Sequence, residues 1–175
     1  QTRLPYEEKE KYLEKIKELP ESSILYLSVG AESPKVVEEL RKEAVDVQWV
    51  EVYQPNSSFQ GGLALRDSLI GGEDAARTEM TEAQLKETYL SHLKDLLDHM
   101  DIWNSLDLQS SKYVFPGEGK ESALRECYED AKQLDVLEAK NYCISGKRDE
   151  IVEYLEKTDI SSILVDEVKL SELSN

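Results

Sequence analysis

The hydrophobic and polar positions from 23 to 51, SILYLSVGAESPKVVEELRKEAVDVQWVE, predict a strand, a turn, a helix and a second strand. Ile24 to Val29 is a short apolar run rich in β-formers, as a buried strand requires. Gly30 is expected to end it, and Ser33-Pro34 reads as a helix start, with Ser33 as N-cap and Pro34 at the first helical position. Val36, Val37, Leu40 and Ala44 then fall on one helical face, opposite Glu38, Glu39, Arg41 and Lys42. From Val45 to Val52 the chain returns to alternation, with Val45, Val47, Trp49 or Val50, and Val52 facing inward. A strand pair joined by so short a helix predicts a parallel pair with a right-handed crossover.

The same grammar closes the chain. Ala139 to Ser145 is a strand, Gly146 its turn, Lys147 to Thr158 a helix with Ile151, Val152, Leu155 and Tyr154 inward, and Ile160 to Val165 a strand. Two such units predict an α/β fold, a three-layer sandwich around a mainly parallel sheet of four to five strands. Around them stand three more helices. Tyr6 to Leu19 is amphipathic and ends at Pro20; with residues 1–22 it reads as an N-terminal linker helix before a single domain over 23–175. Thr81 caps a helix to Met100 bearing Leu85, Tyr89, Leu93, Leu96 and Leu97, and Glu121 to Leu134 forms another. Asp101 to Phe115 reads as irregular, and Pro116-Gly117-Glu118-Gly119 as a turn cluster.

Residues 54–116 read as one long insertion. Its first part, Gln54 to Met80, holds Pro55, Asn56, Ser57-Ser58 and the pairs Gly61-Gly62 and Gly71-Gly72, which is loop composition. It is expected to be the most mobile part of the chain, cleaved first by trypsin near Arg66 or Arg77. A lid over a site and a partner-binding loop are the functional readings of the same stretch.

Charge narrows the functions. The 175 residues carry 37 acidic against 21 basic side chains, a formal net charge of −16. That disfavours nucleic acid and anionic membranes, whose recognition needs clustered Lys and Arg. No stretch approaches the roughly 20 apolar residues of a membrane span, and the expected location is cytoplasmic. The start at Gln1 raises the expectation of a longer parent protein. Cys127 and Cys143 read as free thiols rather than a disulfide. His92 and His99 are seven residues apart on one helix, which separates the rings by about 10 Å along the axis; they read as surface residues, and no metal site is expected.

In a parallel sheet, ligands gather where strands deliver their carboxyl ends. The candidates for ligand binding there are Ser28, Gly30, Glu32 and Ser33 after the first strand, and Ser145, Gly146, Lys147 and Arg148 after the strand of the second unit. Neither loop is a Walker A or a GxGxxG motif. Cys143 lies inside its strand, and Arg148 comes one position too soon for a phosphatase loop, so no catalytic residue is assigned.

The order of elements, the end YCISGKRDEIVEYLEKTDISSILVDE and the start ILYLSVGAESPKVVEELRKEA resemble the universal stress protein family. The resemblance covers about two-fifths of the chain and implies five parallel strands. Ser28 stands where that family usually has an adenine-contacting Asp. The phosphate loop of its ATP-binding members is missing after Val165-Asp166-Glu167-Val168. The resemblance therefore implies no ATP cofactor, and a non-catalytic regulatory or signalling domain acting by dimerisation, partner binding or small-ligand sensing. The expected partner is a second copy or another domain of a larger protein such as a transporter. The alternative is an enzyme with the 54–80 loop as lid, for which Glu32, Asp166, Glu167 and Lys147 are the titratable groups at strand ends.

Overall fold

The computed structural model describes residues 6–65, 80–110 and 117–170. The strands are β1 (Ser23–Val36), β2 (Asp46–Val52), β3 (Gly62–Ala64), β4 (Glu138–Lys147) and β5 (Ile160–Leu170). The helices are α1 (Tyr6–Lys17), α2 (Val37–Leu40), α3 (Glu82–Asp98), α4 (Met100–Ser110), α5 (Gly117–Lys132) and α6 (Arg148–Lys157). The five strands form one sheet in the order β3-β2-β4-β1-β5, and every neighbouring pair is antiparallel.

This overturns the expected mainly parallel sheet, including the one implied by the resemblance to universal stress proteins. The two strand-helix-strand units do exist. Because β1 and β2 both run antiparallel to β4, they are parallel to each other, but β4 lies between them. Likewise β4 and β5 flank β1. The units interleave, each inserting one strand into the other's gap, as in split β-α-β folds.

The expected turn at Gly30 is also corrected. β1 runs on to Val36, and the helix begins only at Val37, without a side-chain cap from Ser33. Gly30 pairs with both Asn141 and Ser162, so the chain stays extended there. Gly146 likewise lies within β4. The stretch 101–115, read as irregular, holds α4 up to Ser110, and residues 111–116 lie outside the described residues. At α3 the expected cap is present and forms a capping box: Thr81 Oγ1 accepts from Gln84 N, and Gln84 Oε1 accepts from Thr81 N. Within the long insertion, β3 joins the sheet; residues 66–79, with Arg66, Arg77 and Gly71-Gly72, lie outside the described residues.

Strand alternation puts one face of the sheet in the core. Leu25, Leu27 and Val29 of β1, Tyr142 and Ile144 of β4, Val50 and Val52 of β2, and Leu63 of β3 are buried there. They join a single cluster with Leu13 and Ile16 of α1, Leu40 of α2, Leu85, Tyr89 and Leu93 of α3, Leu124 and Cys127 of α5, and Ile151, Tyr154 and Leu155 of α6. α1 is seated on the domain: Lys17 pairs with Glu156 at 3.0 Å, and Lys9 Nζ donates to Thr158 O at 2.8 Å.

Candidate functional site

Register turns the sheet into rows of side chains running across the strands. The core row is Leu63, Val50, Tyr142, Val29 and Ile163, in the order β3-β2-β4-β1-β5. Because successive residues on a strand face opposite sides, the rows on either side of it face away from the helices. One is Ala64, Trp49, Cys143, Ser28 and Leu164; the other is Gly62, Glu51, Asn141, Gly30 and Ser162. Gly30 is the one buried residue of these two rows; the others are partly or largely exposed. Trp49 is 38% exposed and Leu164 60% exposed, whereas Val50 and Tyr142 beside them are buried.

A β-bulge sets which residue faces out. Val47 pairs with Ile144 and Trp49 with Cys143, so Gln48 is an extra residue on β2. Were Gln48 instead paired with Cys143, Trp49 would stand opposite Tyr142 and point into the core, and Val50 would point to the open face. Gln48 is fixed instead by its Nε2, which donates to Ser145 Oγ at 3.2 Å. A second irregularity leaves Asp166 as the extra residue between Val165 and Glu167 on β5. Its carboxylate accepts from Ser28 Oγ at 2.6 Å, and Ser28 Oγ lies 3.6 Å from Cys143 Sγ.

The two open-face rows enclose a shallow trough of about 360 Å³, lined by Ser28, Trp49, Glu51, Asn141, Cys143 and Leu164 among others. Ser162 also lines it, with a small side chain. The Trp49 indole leans over Gly62: a Cβ there would fall 2.3 Å from Trp49 Cζ2. Glycine at 62 is therefore what lets the ring lie flat as a wall. Asn141 Nδ2 donates to Glu51 Oε1 at 3.4 Å, holding the carboxylate over the strands. The trough thus combines an aromatic wall at one end, an aliphatic one at the other, and a polar floor.

A second polar group is buried on the helix side. Gln54 Nε2 donates to Asp130 Oδ2 at 2.9 Å and to Cys127 O at 3.0 Å, while Gln54 Oε1 accepts from Tyr89 and from Cys127 Sγ. Burial pushes the Cys127 thiol and the Tyr89 phenol up, so both stay protonated near neutral pH. Every donor here is answered, and Gln54 is sealed from solvent. This group ties the end of β2 to α3 and α5.

The candidates named from sequence do not share a point. Ser28 and Gly30 lie on the open face. Glu32 and Ser33 lie further along β1, and Glu32 N bonds Asp159 O. Ser145, Gly146 and Lys147 pair with Tyr26, Leu25 and Ile24. Arg148 starts α6 and is held by Asp149 and by Leu19 O at 2.8 Å. Glu32 is eight residues beyond the partner of Lys147 along β1, a separation of roughly 25 Å at strand rise. The four titratable groups of the enzyme alternative are split the same way: Asp166 is engaged by Ser28, Glu167 pairs with Tyr26, and Lys147 and Glu32 stand at opposite ends.

Trp49, Glu51, Asn141 and Leu164 were not singled out as site residues by sequence. Their signal was the polar alternation of AKNYCIS and SILYLSV, which suits a sheet with one uncovered face better than a parallel sheet covered on both. Among the described residues, no group of three or more His, Cys, Asp or Glu is placed to hold a metal ion, and no helix is long and apolar enough to cross a membrane. No family model matches the chain, and neither the curated proteins nor the solved structures compared with it include a match.

Proposed function

We propose that this domain is a non-catalytic binding module whose working surface is the open face of the sheet. The observation that carries the reading is the pair of outward rows, where an exposed indole and an exposed leucine flank a polar floor on rigid strands. Aromatic and aliphatic anchors around a small number of oriented polar groups are how recognition surfaces gain both area and specificity. The titratable side chains of the trough, Glu51 and Cys143, stand on different rows, and the contacts that link Cys143 to Ser28 and Ser28 to Asp166 include no imidazole or amine to act as base toward the thiol. A regulatory or signalling role, exercised through a partner, fits such a surface.

A screen of short neutral and charged peptides, followed by amide and indole resonances of the labelled protein, tests the reading. Binders should shift Trp49, Glu51, Asn141, Cys143, Ser28 and Leu164 together. Shifts gathered instead in the cleft between α1 and α6, lined by Lys9, Leu13, Lys17 and Glu156, would place the binding surface elsewhere.

A further inference from the structure

The chemistry of the trough says what kind of segment it takes. We infer that it docks an extended stretch of a partner protein carrying an arginine or lysine and, about four residues away, an apolar side chain. This rests on the open-face reading above and adds the identity of the occupant.

Three observations converge on it. The residues lining the trough include one carboxylate, Glu51, and no lysine or arginine. The chain as a whole carries −16, so a cationic segment is drawn toward it and an anionic one repelled. Beside Glu51, on the same strand face, the Trp49 indole is seated on Gly62, and the residue is exposed. Indole is the best side chain for holding a cation over its ring. The neighbouring lysines are drawn to other rings: Lys140 Nζ lies 6.0 Å from the Tyr53 centroid and Lys169 Nζ 5.2 Å from that of Tyr26.

The spacing follows from the row. Trp49 and Leu164 are separated by three strand intervals, β2 to β4 to β1 to β5, about 14 Å in all. An extended peptide rises about 3.4 Å per residue, so about four residues cover that distance, and an even number returns the side chain to the same face. The cation then sits between Trp49 and Glu51 while the apolar residue lies on Leu164. A second copy of this chain is the poorer occupant, because it would set Glu51 and Asp166 against an equally acidic molecule.

The test uses capped peptides of Gly and Ser carrying arginine and, four positions on, leucine. The matched controls replace the arginine by glutamate or move the leucine to an odd spacing. At physiological ionic strength, where exposed long-range attraction is largely screened, the arginine peptide should shift the Trp49 indole, assigned from Trp49→Phe, together with Asn141 and Leu164. Glu51→Gln should weaken it about two- to fivefold, as an exposed ion pair allows, and Glu51→Lys should remove it. Both variants should keep the remaining spectrum, since Glu51 is on the uncovered face. Equal binding of the glutamate peptide or of the odd-spaced one overturns the cation-and-spacing inference while leaving the open-face reading in place. Shifts scattered over the helices, or a dimer in solution whose contacts cover Trp49 and Leu164, overturn it as well.

Discussion

Two adjacent residues of β5 separate a sheet with one covered face from a sheet covered on both. Ile163 is 7% exposed and belongs to the core cluster, while Leu164, next along the strand, is 60% exposed. Truncating a buried isoleucine to alanine removes transfer energy and leaves a cavity, which together cost about 2–5 kcal/mol. β5 is an edge strand, where surrounding groups relax more readily, so the lower part of that range, about 2–3 kcal/mol, applies to Ile163→Ala. Complete burial of a leucine stabilises by about 1.5–3 kcal/mol. With about two-fifths of Leu164 covered, Leu164→Ala should cost about 0.6–1.2 kcal/mol. The loss of strand propensity is common to both and cancels in the comparison. Urea unfolding followed by circular dichroism measures each cost, provided the slope with denaturant is unchanged. In a sheet with helices on both faces, the two substitutions would cost about the same. Equal losses at the two positions would therefore refute the one-faced arrangement and everything built on it.

Other consequences follow from particular contacts. Gly62→Ala drives a methyl into the Trp49 ring, 2.3 Å from Cζ2; the indole should swing away, seen as a changed near-UV signal, with peptide binding lost but the core intact. Tyr142→Phe removes one member of the buried Tyr142–Tyr154 hydroxyl pair and should destabilise by about 1–2 kcal/mol. The Tyr142→Phe/Tyr154→Phe double variant should lose less than the sum of the two single changes, because neither leaves a hydroxyl behind. Burial raises the Tyr89 and Tyr142 phenols above their ordinary value of about 10. A raised pKa keeps the folded form protonated while the unfolded chain ionises, so stability is intact below about pH 10 and falls as pH rises beyond it. Phenolate absorbance of these two residues should appear together with unfolding; ionisation in a still-folded protein would contradict their burial.

How much the sequence disclosed depends on the length scale of the signal. Local pattern located β2, α3 and α6 to within a residue or two, because periodicity and caps such as Thr81 act over a few neighbours. Strand-helix-strand order also gave the right relative direction of β1 and β2, and of β4 and β5. What local pattern cannot carry is which strand lies between them, since the insertion of β4 beside β1 is decided by residues more than a hundred positions apart. The same limit applies to the site. The choice between Trp49 and Val50 as the inward residue stayed open, because a single extra residue at Gln48 flips every side chain after it. Gly30 and Ser33-Pro34 carry turn chemistry, yet β1 continues through them. Gly30 is paired with β4 on one side and β5 on the other, and β1 pairs with β4 again at Lys35 and Val36, with Ser33-Pro34 inside the irregularity between. Glu51 and Asn141 gain meaning only when register brings β2 beside β4.

Thiol reactivity tests the uncovered face most directly. Cys143 sits in the middle of the outward row between Trp49 and Ser28 and is half-buried, while Cys127 is fully buried against Gln54 and Tyr89. Thiol reagents follow exposure and thiolate character, and burial holds the Cys127 thiol protonated. A small methanethiosulfonate reagent added to the native protein should modify Cys143 alone, leave the fold intact, and reach Cys127 only after denaturation. Modified Cys143 should then no longer bind the arginine peptide. Protection of Cys143 in the native protein, or modification of Cys127 first, would show that the face carrying Trp49 and Leu164 is not the open one.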